Sequence, residues 1–235
     1  MAKKKAPAKA EGMTTFYAVL AVVAVVGIGA IVFAMRSGGA MATELLDMSE
    51  VGDAGTLLQR ARGETAGDPN APVQIHVFSD YMCPACGQWA GTIEPRLKAE
   101  FVTTGKVLLV YYDFPLGGEF KHSFAAARAA RCAGDQERFW EYHDHLFGTQ
   151  RVWSYSRDTP VSHFMELAST VGLDQRRFES CLRSDQHADV VTSNKMLGET
   201  LGVGGTPTVF LNGRHLSQWG DYSAVREAVL ASGGA

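Results

Sequence analysis

The sequence predicts an α/β fold with an inserted block of helices, preceded by one N-terminal transmembrane helix. Three observations support this prediction. A strand-like run, a helix that opens with two cysteines and a second apolar strand follow one another between residues 73 and 112. Helical patterns then occupy residues from about 120 to 201, and two short strands and a helix close the chain. An uncharged apolar run lies ahead of all these elements.

Length and composition favour a globular domain over a nucleic-acid-binding protein. The chain has 235 residues, of which 46% are apolar, and a formal net charge of −3. This length suffices for one sizeable hydrophobic core with accessory segments. The basic run Lys3-Lys4-Lys5, with Lys9, lies at the extreme N-terminus. No basic surface for nucleic acid is therefore expected in the rest of the chain.

The stretch from Phe16 to Met35 contains no charged residue. At 1.5 Å per residue it would span about 30 Å, the thickness of one hydrocarbon core. Lysines precede it and only Arg36 follows closely, so the positive-inside rule places the N-terminus in the cytoplasm and the rest outside. We therefore predict a cytoplasmic basic N-terminus (1–13), a transmembrane anchor (14–36), a linker (37–66) and a periplasmic or otherwise extracytoplasmic domain (67–235).

A cleaved signal peptide is the alternative interpretation of this region. Ala40-Met41-Ala42 resembles a signal-peptidase site. However, the apolar part of a signal peptide usually has about 7–15 residues, and this run is longer. Arg36 and two glycines also separate the run from the candidate cleavage site. We favour an uncleaved anchor, and both interpretations export the domain that follows.

The exported domain begins with a predicted strand–helix–strand unit. Val73–Ser79 has the pattern of a strand, and a helix is expected from Pro84 to about Val102. Lys106–Tyr112 is a second, apolar strand that suits a buried parallel position.

The following segment, about 120–201, predicts the helical insertion. Gly134, Gly148 and Gly172 divide it into shorter helices, and Asp174 is a candidate N-cap. Beyond it, Thr208–Leu211 begins a predicted hairpin.

The hairpin turn is predicted at Asn212-Gly213, between Thr208–Leu211 and Arg214–Leu216. Asp221 then follows as a candidate cap of the last helix. The predicted order is thus β-α-β, a helical block, and β-β-α.

Cys83-Pro84-Ala85-Cys86 carries the most specific chemistry in the sequence. It follows a strand and opens a helix, so Cys83 lies at the positive end of the helix dipole, where a thiolate is stabilised. Pro84 suits the first helical position because its missing N–H would be unpaired there. One helical turn brings Cys86 within reach of Cys83, so the motif supplies an attacking thiol and a resolving thiol. We expect Cys83 to be the more exposed and Cys86 the more buried.

Half of a zinc site is the alternative explanation for this CxxC motif. A structural zinc site needs four ligands, usually a second CxxC or a histidine pair at matched spacing. Cys132 and Cys181 stand alone and far apart in the sequence. The number and spacing of the candidate ligands therefore argue against a zinc site.

A second informative segment follows 120 residues later. Gly204-Gly205-Thr206-Pro207 predicts a glycine turn that runs into a strand. Proline at a strand start cannot donate to the ladder, and prolines in such places are sometimes cis.

Together these segments resemble the DsbA-like thiol:disulfide oxidoreductases of bacteria, particularly their membrane-anchored branch. The resemblance covers about residues 67–235. It implies a thioredoxin-like fold interrupted by a helical insertion, with Thr206 and Pro207 in a cis-proline loop beside the redox pair. The matching stretches are Asp68–Val73, Phe78–Cys86, Ala130–Ala133, Phe139–His143 and Gly202–Thr208.

The resemblance also implies a function. It predicts an enzyme that oxidises cysteine pairs of exported proteins by disulfide exchange through Cys83 and Cys86. No organic cofactor or metal is implied, and a quinone-linked membrane reoxidase of the DsbB or VKOR type is the expected partner. Two alternatives stay open: a reductase or isomerase fed by a membrane electron carrier, and a non-catalytic binding or chaperone module.

Two positions depart from the best-studied pattern of this family. Its members often have His directly before the second cysteine, where this chain has Ala85, and a buried Glu where this chain has Val77. In those members the His helps to stabilise the thiolate, and the Glu relays protons to the buried thiol. Both departures weaken the expectation of a strongly lowered Cys83 pKa.

Cys132 and Cys181 form a candidate structural disulfide. Outside the cytoplasm, an even number of cysteines favours pairing, and these two remain once Cys83 and Cys86 are assigned to redox chemistry. Some relatives carry a similar extra bridge. Two buried free thiols are the alternative.

Overall fold

The computed structural model describes residue 41, residues 43–45 and residues 54–234. The predicted cytoplasmic N-terminus and the predicted anchor, residues 14–36, lie outside these residues, as does much of the predicted linker. In the part of the chain that the structure describes, no helix has the length and apolar character needed to cross a membrane.

Five strands form one mixed sheet within the described residues. They are β1 (Glu64–Ala66), β2 (Val73–Ser79), β3 (Val107–Asp113), β4 (Thr208–Leu211) and β5 (Arg214–His215). Their order across the sheet is β1-β3-β2-β4-β5. β2 and β3 are parallel, and the other neighbours pair antiparallel.

The parallel pair β2–β3 confirms the predicted strands to within one residue. Its register runs from Val73 beside Val107 to Ser79 beside Asp113. Six of the seven residues of β3 are buried, as expected for a strand covered on both faces. The register brings the carboxyl ends of both strands to one edge of the sheet, where the CPAC segment begins.

The predicted helix after the CPAC motif is interrupted. α1 (Ala54–Arg60) precedes the sheet, and α2 (Pro84–Gln88) starts at the motif. The chain continues through a π-helical turn, α3 (Glu94–Leu97) and a second π-helical turn that ends at Val102. Pro95 at the start of α3 lacks an N–H for the preceding turn, which accounts for a break that the apolar pattern alone did not predict.

The helical insertion lies between β3 and β4, as predicted. α4 is buried from Ser123 to Ala133, and its alanines allow the neighbouring helices to pack closely. Asp174 caps α8 by accepting hydrogen bonds from the N–H groups of Arg176 and Arg177 at 2.9 and 3.0 Å. The helices are α4 (Ser123–Gly134), α5 (Phe139–Gly148), α6 (Gln150–Trp153), α7 (Val161–Thr170), α8 (Gln175–Leu182) and α9 (Ala188–Thr200).

The C-terminal hairpin is confirmed. Asn212 and Gly213 have φ values of 47° and 76°, as a two-residue hairpin turn of this type requires. Asn212 Oδ1 also accepts the N–H of Gln74 at 2.8 Å, which fastens the turn to β2. The last helix, α10 (Tyr222–Ala231), is capped by Asp221 as predicted.

Buried side chains fall into two main groups. One lies between the sheet and its covering helices; it contains Val73, Ile75, Val77, Trp89, Leu97, Phe101, Val225 and Val229. The other joins the insertion to the CPAC segment; it contains Cys83, Cys86, Phe124, Tyr142, Leu146, Trp153, Phe164 and Phe178. The redox motif is therefore part of the same core as the helical insertion.

A buried group of charges fastens the insertion to the sheet. Arg131 of α4 lies 2.7 Å from Asp113 at the end of β3 and 2.8 Å from Glu64 of β1. Arg131 is 4% exposed and Asp113 is fully buried. Removing one partner of such a group typically costs about 3–5 kcal/mol, because it leaves an unpaired buried charge.

The predicted linker 37–66 extends too far towards the C-terminus. α1 and β1 both lie within it, and β1 pairs Glu64–Ala66 with β3 from Tyr111 to Leu109. A three-residue strand without apolar alternation has no recognisable pattern. Its place in the sheet depends on contacts with distant residues, Arg131 among them.

A disulfide joins Cys132 of α4 to Cys181 of α8, with an S–S distance of 1.97 Å and a Cα–Cα distance of 5.8 Å. The two residues are 49 positions apart in the sequence. In the chain-entropy model a loop of this length stabilises the fold by about 4 kcal/mol. Cys83 and Cys86 carry free thiols.

The variant Cys132→Ala/Cys181→Ala tests this bridge. We expect its unfolding free energy to fall by a few kcal/mol, about 4 kcal/mol at most, because the unfolded chain loses a constraint. The potential of the Cys83–Cys86 pair should change little. Denaturant titration measures the first quantity and equilibration with glutathione the second. Mild reduction and alkylation of the wild-type protein should add two labels, and four labels on folded protein would contradict the bridge.

Candidate active site

The site lies where β2 ends and α2 begins. Cys83 is the N-cap of α2, with extended backbone angles, and Pro84 occupies the first turn. Gly87 donates its N–H to the Cys83 carbonyl at 3.1 Å, which closes the first turn of the helix. The sulfur of Cys83 therefore lies at the end of the helix where the N–H groups are free.

The surroundings of Cys83 favour its thiolate. The pKa of Cys83 is lowered to about 5, first of all by a hydrogen bond from the Cys86 thiol. Burial opposes this shift, while the Thr206 side chain and the backbone N–H groups of Cys86 and Ala85 add to it. The pKa falls further than the departures at positions 77 and 85 led us to expect.

Cys86 has the opposite environment. It is fully buried, and burial is the main cause that raises its pKa well above the usual value. The adjacent Cys83 raises it further, whereas the N–H of Asp80, 3.4 Å from the sulfur, favours the thiolate. At neutral pH the pair therefore consists of one thiolate and one thiol.

Asp80 organises the segment that leads into the motif. Its carboxylate accepts hydrogen bonds from Met82 N at 2.7 Å, Ser123 Oγ at 2.6 Å and Leu116 N at 2.8 Å. Burial raises the pKa of Asp80 to about 6, although these hydrogen bonds oppose the shift. One buried carboxylate thus connects the CPAC segment to the start of α4.

The loop before β4 completes the site. The peptide bond between Thr206 and Pro207 is cis. Cys83 Sγ lies 3.3 Å from the Thr206 carbonyl oxygen, so this loop lies directly beside the first sulfur. Residues 123 positions apart in the sequence therefore meet at the reacting atom.

Comparison with known proteins assigns this arrangement to a family. The sequence model of a thioredoxin family matches residues 60–231, well over half of the chain. The chain belongs to this thioredoxin family.

Individual members agree with that assignment. The chain is 30% identical over 172 residues to the probable disulfide bond formation protein D of Bacillus anthracis, covering 71% of this chain and 76% of the relative. The oxidised BdbD structure from Bacillus subtilis has a TM-score of 0.65 at 23% identity and covers 73% of this chain and 96% of its own. Wolbachia pipientis α-DsbA1 has the same TM-score at 21% identity, with 73% and 91% covered. The protein is a DsbA-like thiol:disulfide oxidoreductase.

The oxidoreductase brings Cys83, Cys86, Thr206 and Pro207 together, whereas the bridge between Cys132 and Cys181 lies within the helical insertion. Pro84 is exposed and Ala85 half-buried beside them. We expected an exposed Cys83, but only 6% of its surface is accessible. Thr206 and the insertion cover the sulfur, which the local sequence could not indicate.

Two groups of side chains in the described part of the oxidoreductase have the spacing of metal ligands. The first combines His187 with Cys132 and Cys181, whose sulfurs are already joined. The second is Glu94, His143 and Asp144. There the ammonium group of Lys98 lies 2.7 Å from Glu94 and 3.5 Å from Asp144 and already balances the carboxylates.

Two residues of the insertion that hold the CPAC segment were not predicted from the sequence. Gln150 donates hydrogen bonds to two of its carbonyl groups, and His143 Nδ1 lies 2.9 Å from the Tyr81 hydroxyl. These partners are more than 60 residues away in the sequence. His143 ends the family-like stretch Phe139–His143, which does not reveal this contact, and no motif marks Gln150. Asp80, by contrast, stands three residues before Cys83. Its place in the sequence already indicates a carboxylate close to the start of the helix.

Alkylation of the reduced full-length protein tests the assignment of the thiols. The rate follows the thiolate fraction, so labelling of Cys83 should rise with pH through about 5 and then level off. Cys86 should react only slowly at these pH values. Mass spectrometry identifies the labelled residue. Cys86→Ala removes the main hydrogen bond to Cys83 and should move the Cys83 profile to higher pH, whereas preferential labelling of Cys86 in the wild type would contradict the assignment.

Proposed function

We propose that the protein is an extracytoplasmic oxidase that introduces disulfides into exported proteins through Cys83 and Cys86. The unequal pair of thiols is the observation that carries this proposal. A low pKa at Cys83 stabilises the reduced form of the enzyme. A protein whose dithiol form is stabilised is a stronger oxidant of other thiols.

The proposed reaction begins with a client thiolate that attacks the Cys83 sulfur of the enzyme disulfide. A bond forms between the client sulfur and Cys83, the bond between Cys83 and Cys86 breaks, and its electron pair stays on Cys86. Because the pKa of Cys86 is raised, this sulfur then takes up a proton.

A second client thiolate completes the exchange. It attacks the client sulfur of the mixed disulfide, and Cys83 leaves as a thiolate. The client has lost two electrons and gained a disulfide, while the enzyme has become a dithiol. A membrane reoxidase of the DsbB or VKOR type would remove the two electrons from the dithiol.

Client binding would use the cis-proline loop. Thr206 lies against the Cys83 sulfur, so an extended client segment bound along Thr206 and Pro207 would present its cysteine to the reacting atom. Backbone hydrogen bonds would tolerate many client sequences, because they do not depend on side chains.

Three observations support an extracytoplasmic location. The uncharged run from Phe16 to Met35 and the lysines before it suit an N-terminal anchor. The disulfide between Cys132 and Cys181 is typical of oxidising compartments. The relative in Bacillus anthracis carries the name of a disulfide bond formation protein.

A reductase or isomerase fed by a membrane electron carrier is the second candidate. It is favoured by Ala85 and Val77, which stand where the best-studied oxidases of the family have a His that stabilises the thiolate and a buried Glu. The buried, protonated Cys86 would also serve as the resolving thiol in that direction.

The reduction potential distinguishes the two directions. Equilibration with glutathione should give a value between roughly −120 and −270 mV. Ala85→His should make the protein more oxidising, because a cationic ring beside Cys83 lowers its pKa. Gln88→His, exposed on the same helix, is the matched control and should have a smaller effect. A wild-type potential as reducing as that of thioredoxin, with no disulfide transfer to a reduced unfolded client, would refute the oxidase and favour the reductase.

Topology is tested by a fusion after Ala235 to a reporter that is active only outside the cytoplasm. We expect activity, because the lysines before the apolar run hold the N-terminus inside. N-terminal sequencing of the mature protein, from both the membrane and the soluble fraction, is the companion measurement. A mature chain that begins near Thr43 would show cleavage and refute the anchor, and an inactive fusion would refute export.

A further inference from the structure

Gln150, the first residue of α6, reaches from the helical insertion to the CPAC segment with both of its amide hydrogens. Its Nε2 donates to the carbonyl of Tyr81 at 2.7 Å and to the carbonyl of Cys83 at 2.9 Å. A glutamine amide has only two N–H donors, so its donor capacity is spent on this segment. Only 9% of Gln150 is exposed, so water competes little for these bonds.

The position of this amide is fixed by the packing of α6. Trp153, on the same short helix, is 1% exposed and donates its indole N–H to the carbonyl of Leu146 at 2.9 Å. The N–H of Val152 donates to Thr149 at 2.8 Å and that of Ser154 to Gln150 at 3.0 Å. The backbone that carries Gln150 therefore belongs to the insertion core, and its amide reaches the CPAC segment from that core.

Gly87, the residue after Cys86, makes room for the Gln150 amide. A Cβ atom on Gly87 would lie 2.8 Å from Oε1 and 3.3 Å from the amide carbon of Gln150. The first distance is shorter than real contacts of such atoms. A side chain at position 87 would have to displace the Gln150 amide, which provides a second way to disturb the same contact.

We propose that Gln150 is the positioning residue through which the helical insertion sets the reactivity of Cys83. The Cys83 carbonyl also accepts the first hydrogen bond of α2, from Gly87. By holding this carbonyl and that of Tyr81, the amide keeps the Cys83 sulfur at the start of the helix and beside Thr206. The inference rests on the proposed role of Cys83 as the sulfur that forms the mixed disulfide with the client, and it is independent of reaction direction and compartment.

The experiment compares Gln150→Ala, Gln150→Glu and Gly87→Ala with the wild-type full-length protein. The measured quantities are the pKa of Cys83, from thiolate absorbance, and the reduction potential. We expect Gln150→Ala to raise the pKa by about one unit, which means about tenfold less stabilisation of the thiolate. The potential should then become about 30 mV more reducing, the two-electron equivalent of a tenfold change. Gln150→Glu should have a larger effect, because a carboxylate would face the two carbonyl oxygens.

Two controls separate this contact from general effects. Gln88→Glu adds the same charge on the exposed side of α2, and its Cys83 pKa should shift less than that of Gln150→Glu. As a single substitution, Gly87→Ala should raise the pKa of Cys83. In a Gln150→Ala background there is no amide to displace, so the same substitution should have no added effect. Full additivity of the two changes would show that Gly87 does not act through Gln150 and would overturn that part of the inference.

A purely structural role for Gln150 predicts a different result. The variants would then lower the unfolding free energy of the oxidised and reduced proteins equally, and the pKa and potential would not change. That outcome would overturn the inference about Gln150. The proposed roles of the two thiols would still stand if Cys83 were labelled before Cys86 in the wild-type protein. Preferential labelling of Cys86 would instead refute the proposed roles themselves.

Discussion

Cys86 has no exposed surface, and its sulfur lies in a core to which the CPAC segment and the helical insertion both contribute. In that position ionisation is unfavourable, so Cys86 keeps its proton and donates a hydrogen bond to Cys83. The same bond is the main reason why Cys83 ionises easily. The difference between the two pKa values thus follows from the complete burial of Cys86 and from the hydrogen bonds that Cys83 receives, and any change that opened this core to water would reduce it.

The helical insertion is therefore part of the redox site and more than a cover for it. The ion pairs of Arg131 fasten α4 to β1 and to the end of β3, the strand that lies beside β2, from which the CPAC segment continues. Asp80 connects that segment to Ser123 at the start of α4, and Gln150 supports its carbonyl groups from α6. The disulfide between Cys132 and Cys181 joins α4 to α8 within the insertion. A thioredoxin-like sheet with this insertion can place polar groups on both sides of the motif.

The chemistry of Cys83 does not depend on the side chains found at positions 77 and 85 in the best-studied relatives. The side chains of Val77 and Ala85 can neither donate a hydrogen bond nor carry a charge. The pKa of Cys83 is nevertheless lowered to about 5, through the Cys86 thiol, Thr206 and the N–H groups at the start of the helix. Most of these groups belong to the fold, because they are backbone atoms or the second cysteine itself. The fold therefore already favours the Cys83 thiolate, and the residue at position 85 can adjust its stability.

Local patterns in the sequence predicted the parallel strands, the hairpin at Asn212-Gly213, the extent of the insertion and the CPAC motif with its proline loop. These features depend on periodicity, turn geometry and short motifs, which neighbouring residues determine. The sequence did not predict the short strand β1, the shielding of Cys83, or the contacts of Gln150. Each of these depends on residues far apart in the chain, and only the packing of the sheet against the insertion brings them together. The sequence alone thus determined where the two thiols of the motif stand in the fold, whereas the tertiary structure decided how strongly each sulfur holds its proton, because burial and hydrogen bonding are set by distant neighbours.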